Sequence, residues 1–294
     1  GSLQATLTIN PNYAGNFEGQ KPSIQTVVIT KTEASTWADA LKTGEINVYE
    51  GIADGNEVNT LMDMIDAGAE LTYVQYDRAG YGKLQFRNDY GPAQFTAVRQ
   101  AITYCLDRAS FAKTFTGGYG GVVDGAYYAG SWMYKEAAAN GMLLNAYDTS
   151  ADTAIAVLEA DGWIYDANGE PYVEGVRYKK IPAEYADEND KTYKSIDGAY
   201  VTTKVGDDYY MPLVLNWYGT TDNPFSDLLV TDFEQGANIA AAGIVIQKTT
   251  GDFNPMLDEF YQQAVYGFYS GTPMYSCFNY ATGFTSAAYD YSYN

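Results

Sequence analysis

Thirty-seven carboxylates against seventeen Lys and Arg make up the reactive inventory of this 294-residue chain, together with two cysteines and no histidine. Paired carboxylates are what glycoside hydrolysis uses, one as acid and the other as nucleophile or base. So many acids supply many spatial pairs, but no spacing selects one, and a carboxylate-dependent glycoside hydrolase stands only as an alternative. Without imidazole, Ser-His-Asp, Cys-His and His-metal chemistry are excluded. Cys105 lies in an apolar helical pattern and Cys277 in a strand-like run. Both are expected as small buried side chains rather than reactive thiols, and whether they are bridged is left open. Two cysteines build neither a zinc ribbon nor a disulfide framework, so no catalytic residue, no cofactor and no protein-bound metal is expected.

Two short motifs imitate ligand loops. Asp166-Ala167-Asn168-Gly169 resembles the start of a calcium loop, but Gly175 stands where the bidentate acid is required, so a turn is expected. Gly117-Gly118-Tyr119-Gly120-Gly121 follows a helix and lacks the Lys-Ser/Thr of a phosphate cradle, so it reads as a connector. A net charge of −20 argues against nucleic acid and anionic lipid as partners. No apolar run reaches the roughly 18 to 20 residues that cross a bilayer. The conspicuous excess is 29 tyrosines. Their apolar bodies, polar tips and few rotors suit recognition by stacking and hydrogen bonding.

The elements that would position these groups alternate. Ser23–Thr30, Ile46–Tyr49 and Leu71–Tyr76 read as strands, with helices over Glu33–Leu41, closed by Gly44, and Asn56–Ala67. Lys83–Arg87 reads as a strand. A helix then carries Phe95, Val98, Ala101, Ile102, Cys105 and Leu106 on one face, and Asp107 caps the next helix, which Gly117 and Gly118 stop. A helix over Ser150–Asp161 precedes a hairpin from Trp163 to Tyr172 about the Asn168-Gly169 turn. Residues 184–198 read as a polar excursion. Met211–Trp217, Gly243–Lys248 and Met274–Tyr280 read as strands, with helices over Pro224–Ala242 and Asn254–Gln263. Strand and helix alternating in this way make an α/β fold.

The run Gln94-Phe95-Thr96-Ala97-Val98-Arg99-Gln100-Ala101-Ile102-Thr103-Tyr104-Cys105-Leu106-Asp107-Arg108 resembles a signature of the family 5 extracellular solute-binding proteins, the oligopeptide, dipeptide and nickel receptors of ABC importers. Four further segments match in family order: Asn10-Pro11-Asn12-Tyr13, Ala40 to Val48, Ala160-Asp161-Gly162-Trp163 and Ala241 to Ile246. In the long signature Val98, Ala101, Ile102 and Leu106 are packing residues, Asp107 a cap, and Arg99 or Arg108 a partner for nearby acids.

The resemblance implies a periplasmic-binding-protein-like (type II) lobe, a mixed sheet flanked by helices, plus a partial second lobe. Residues 1–90 would be a returning piece of the first lobe and 91–294 the second, ligand-binding lobe, truncated at its C-terminal end. It also implies a substrate-binding component that takes oligopeptides in an inter-lobe cleft and hands them to permease subunits without chemistry of its own. The full-length parent would be extracellular or periplasmic, tethered to the membrane only through a lipid anchor, and the fragment would be a monomer. A sensor or adhesion module on the same fold is a further alternative. Ligand contacts are expected from loops at strand ends: Asn88, the glycine-flanked Tyr127, Tyr128 and Trp132, then Asn216, Trp217 and Tyr218 after a strand, and Asn279, Tyr280 and Phe284. Tyr280 is the candidate for the cavity-lining aromatic that the family carries near this point.

Overall fold

The computed structural model describes residues 4–33, 35–52, 54–76, 80–88, 91–124, 130–142, 145–182, 202–221, 223–260 and 277–283. The chain divides into two compact units, Gly1–Val74 and Gln75–Asn294.

In the first unit, β1 (Gln4–Thr8) and β2 (Thr26–Thr30) pair antiparallel with Leu7 opposite Val27 and Ala5 opposite Ile29. The two-residue period sets these four apolar side chains on one face, and Gln4, Val28 and four threonines on the other. Helix α1 (Trp37–Thr43) ends at Gly44, whose left-handed backbone returns its N–H to the Leu41 carbonyl. Helix α2 (Gly55–Asp66) begins at Asp54, whose carboxylate accepts from the Asn56 and Glu57 amides. The expected strands at Ile46–Tyr49 and Leu71–Tyr76 do not form. The Ile46 amide instead folds back on the Ala40 carbonyl, and Tyr49 stacks on Trp37 at 4.9 Å. Along 71–76 no strand lies alongside among the described residues, and β-propensity without a pairing partner leaves extended coil.

The second unit holds a four-stranded mixed sheet in the order β3 (Gly80–Phe86), β9 (Cys277–Gly283), β7 (Val214–Thr220), β8 (Val245–Gly251). β3 runs antiparallel to β9, and β7 runs parallel to both of its neighbours. A smaller antiparallel sheet orders β4 (Tyr178–Ile181), β6 (Asp208–Pro212) and β5 (Thr203–Val205). The expected single strand over Met211–Trp217 is thus two strands in two sheets. Leu213 is the transfer point: its amide donates to the Arg177 carbonyl and its carbonyl accepts from the Val245 amide.

Helix α3 (Thr96–Cys105) buries Val98, Ala101, Ile102 and Cys105, as its periodicity predicts, and packs on Ala154 and Leu158 of α6 (Ala151–Ala160). Burial pushes the Cys105 thiol up to about 12 and raises the Cys277 thiol as well, so both are protonated. Both are free, which answers the open pairing question. Asp107 caps α4 (Arg108–Thr116) by accepting from the Ser110 amide, and Gly117 ends it in the left-handed region. Arg108 pairs with Asp124 at 2.7 Å as expected. Arg99 differs: its guanidinium serves the Ala93 and Gln94 carbonyls and the Thr96 hydroxyl, holding a 3-10 turn (Pro92–Gln94) against the helix start. Helix α5 (Trp132–Ala139) is capped by Ser131.

The helix expected over Pro224–Ala242 is broken. α7 (Pro224–Leu229) widens into a π-helical turn (Val230–Glu234), and α8 (Ala237–Ala241) starts anew after Gly236. A β-carbon on Gly236 would lie 2.3 Å from the Asp232 carbonyl oxygen, so the bend needs glycine. Helix α9 (Phe253–Phe260) follows β8. The Asp166 motif is a turn, with its carboxylate accepting from the Asn168 and Glu170 amides. The expected hairpin survives as a single antiparallel bridge between Tyr165 and Pro171. The 184–198 excursion lies outside the described residues.

Arg177, just before β4, joins these parts. Its buried guanidinium donates to the Trp163 carbonyl (2.9 Å), the Ala242 carbonyl (3.0 Å) and Glu159 Oε1 (3.1 Å), and lies 4.0 Å over the Tyr172 ring. Replacing it by alanine leaves buried acceptors without donors, so Arg177→Ala is expected to cost about 3 to 5 kcal/mol in urea unfolding. A smaller term comes from Asp232, whose carboxyl is raised by burial and then by nearby Asp107. With the folded value above the unfolded one, stability is greatest below the unfolded value and is lost as pH rises through the folded one. Asp232→Asn is therefore expected to raise Tm at pH 7, with the difference shrinking as the pH falls toward the ordinary carboxylate range.

Candidate functional site

The four-stranded sheet is sided. Toward the core, Leu215, Trp217, Ile246 and Cys277 are buried with Phe86 and Leu84 beside them, and Trp217 meets Phe233 edge to face at 5.5 Å. Alternation turns Gln85 of β3 and Asn216 and Tyr218 of β7 to the opposite face, with Arg87 two residues beyond Gln85. The register aligns them: Gln85 is opposite Phe278 of β9, which is opposite Tyr218 of β7. Two strand spacings, about 10 Å, therefore separate the Gln85 and Tyr218 backbones. Gln85, Arg87, Asn216 and Tyr218 are all buried. Burial of four hydrogen-bonding side chains on one sheet face is unusual, because each gives up water and must find a partner.

Neither the nitrogen nor the oxygen of the Gln85 side-chain amide has a hydrogen-bond partner among the described residues, although Gln85 is only 5% exposed. Two unmet groups cost roughly 1 to 3 kcal/mol each. Tyr218 is better fixed: its hydroxyl donates to the Asp252 carbonyl at 3.4 Å. A β-carbon on Gly251 would fall 2.0 Å from that hydroxyl oxygen, so glycine there makes room for the ring. At the C-terminal end of β7, buried Thr220 and Ser226 share a hydroxyl contact of 3.2 Å, and Asn223 donates to Thr220 Oγ1 at 2.6 Å. Thr221 Oγ1 donates to Asp252 Oδ1 at 2.9 Å. This is the edge of parallel strands at which open α/β sheets commonly bind ligands.

The expected contact residues are partly brought together. Asn216 and Tyr218 share the polar face, but they lie inside β7 rather than after it, because the strand runs on to Thr220. Trp217 between them points the other way and is wholly buried in the core, under the ammonium of Lys248 at 5.2 Å. The same alternation that sets Asn216 and Tyr218 on the polar face makes Trp217 a packing residue. Asn88 follows β3 and is exposed. Trp132 opens α5 with its side chain 71% exposed. Asn279 and Tyr280 occupy register positions opposite Leu84 and Lys83 on β9. Tyr127, Tyr128 and Phe284 lie outside the described residues. Gln85 and Arg87 are not among the expected contact residues. The signal was present, since polar residues alternate with Leu84 and Phe86 there, but a solvated strand face has the same pattern.

Gly251→Ala is expected to lower stability by about 1 to 3 kcal/mol through overpacking against Tyr218, with Tyr218→Phe recovering part of the loss in a double-mutant cycle followed by urea unfolding.

A family model for the bacterial extracellular solute-binding proteins, family 5 (middle), matches residues 2–196. No curated protein sequence matches the chain. Among solved structures, the chain is similar to NikA from Brucella suis in complex with Fe(III)-EDTA, at TM-score 0.62 and 17% identity over 99% of this chain and 47% of that one. It is similar to the oligopeptide-binding protein AppA from Bacillus subtilis in complex with a nonapeptide, at TM-score 0.61 and 15% identity over 96% and 45%. It is also similar to lactococcal OppA complexed with an endogenous peptide in the closed conformation, at TM-score 0.63 and 15% identity over 99% and 48%. At such identities the likeness is one of fold, and that fold is the expected periplasmic-binding-protein-like one. The chain spans less than half the length of each of these structures.

Proposed function

The chain belongs to the family 5 bacterial extracellular solute-binding proteins, substrate-binding components of ABC importers, and from that premise we propose that it is part of a receptor that binds oligopeptides and delivers them to permease subunits. The observation that carries the peptide reading is the buried sheet face bearing Gln85, Asn216 and Tyr218. Two neutral amides and a phenol, beside the buried Arg87 guanidinium, suit a ligand made of repeated amides, whose backbone is held by hydrogen bonds while its side chains vary. The peptides in the AppA and OppA structures agree with this choice. NikA holds a chelated metal. With no histidine in the sequence, a bare transition metal is a poor ligand for this chain.

In this reading residues 1–90 contribute part of one lobe and 91–294 most of the second. Asn88, Trp132, Asn216 and Tyr218 serve the ligand, and bond-making is left to no residue. The longer receptor works outside the cytoplasmic membrane and is held there by a lipid anchor. Ligand drives the population shift that brings it to the permease.

A ligand that binds only the folded state raises its melting temperature, with about 2.7 kcal/mol gained at a hundredfold excess over Kd. Thermal-shift screening of the chain against di- to octapeptides, oligosaccharides and nickel(II)–histidine is expected to raise Tm with peptides alone. A rise with oligosaccharides and none with peptides would overturn the substrate class.

A further inference from the structure

We infer that Gln85 is a ligand-reading residue whose side-chain amide engages, through both of its polar atoms, the N–H and the C=O that two successive peptide groups of the ligand bring to one edge. This rests on the peptide reading above and sharpens it to a residue and a bonding pattern. Gln85 sits on a ladder strand, opposite Phe278 of β9, with the backbone on both sides of it paired by the register that runs from Gly80 to Phe86. Its position is therefore set by the sheet and not by its own side chain. That side chain is buried, and both its nitrogen and its oxygen lack a partner among the described residues.

A primary amide offers a donor and an acceptor side by side. A peptide group offers the complementary acceptor and donor on opposite edges of one plane, and successive peptide groups of an extended chain bring an N–H and a C=O to the same edge. A carboxylate would use only the Gln85 nitrogen, and a cation only its oxygen. Either would leave the other atom unmet in a buried site. The chemistry that meets both is neutral and two-handed. Across the face, Tyr218 is held by its hydroxyl bond to the Asp252 carbonyl and by the space at Gly251, so an apolar ring body lies two strands from the amide.

Sites built to hydrogen-bond a ligand reject analogues that lack the bond, because the buried partner is then left unpaired. The test uses the full chain and, as probe, tetra-alanine, compared with analogues in which one amide at a time is replaced by an ester. Calorimetric Kd is measured for wild type, Gln85→Leu and Gln85→Glu. Gln85→Leu removes both bonding atoms, and Gln85→Glu keeps the acceptor but removes the N–H donor. Both are expected to weaken tetra-alanine at least tenfold. One ester position is expected to weaken wild type while leaving Gln85→Leu unaffected, which a merely structural role would not produce. The Tm of ligand-free Gln85→Leu is expected to equal or exceed that of wild type, since two unmet groups are removed.

A fall in that Tm, or a Kd of Gln85→Leu within twofold of a wild type that binds, overturns this inference alone. A wild type that binds maltotriose and not tetra-alanine, or binds neither, overturns the peptide reading and this inference with it.

Discussion

A buried guanidinium organises the second unit. Arg177 spends its side chain on two carbonyls and a carboxylate, and its backbone on two more bonds: its amide donates to the Gly243 carbonyl, and its carbonyl accepts from the Leu213 amide. Those backbone partners are the residues from which β7 and β8 depart, so one residue ties the end of α6, the Trp163 turn and the roots of both parallel strands. A charge taken from water at this depth is tolerated only with its donors met and its geometry held. Gly243 is what allows the approach: its backbone lies at φ +72°, and a β-carbon there would fall 2.6 Å from Arg177 Cγ.

From that root β7 runs through the middle of the sheet with both faces covered, and the two faces are unlike. Leu215 and Trp217 enter an apolar core, whereas Asn216 and Tyr218 enter a polar one. The hydrophobic effect explains the first face without further argument. The second is costly unless its groups are used, and Gln85 shows groups that the described fold leaves unused. The stability of the sheet and the recognition of a ligand thus come from alternate residues of the same strands. A register slip of one residue would exchange them, which is why the ladder from β3 through β9 to β7 matters more to the site than any single loop.

The first unit presents the opposite case. Its ribbon has an apolar face, Ala5, Leu7, Val27 and Ile29, that stays exposed, and among the described residues of this unit the buried apolar side chains are Trp37 and Ala40 of α1. A two-stranded ribbon by itself is marginal in water. The expected strands at Ile46–Tyr49 and Leu71–Tyr76 belong here, where residues of strand type find no strand to pair with among the described residues. Local preference was legible, but pairing is a property of what lies alongside.

By itself the sequence determined the local grammar: helix α3 with its buried stripe, the cap at Asp107, the stops at Gly44 and Gly117, the turn at Asp166, and the family to which these belong in order. It also determined the absence of imidazole and with it the classes of chemistry that need one. Tertiary structure alone decided that Met211–Trp217 divides between two sheets at Leu213, that the Pro224–Ala242 helix breaks at Gly236, and that Arg99 serves carbonyls rather than acids. It alone separated Trp217 from its neighbours and drew Gln85 beside them. The reason is physical: periodicity and capping act over three or four residues and are written in the chain, whereas the face of a strand that is buried, and by what, depends on partners tens or hundreds of residues away.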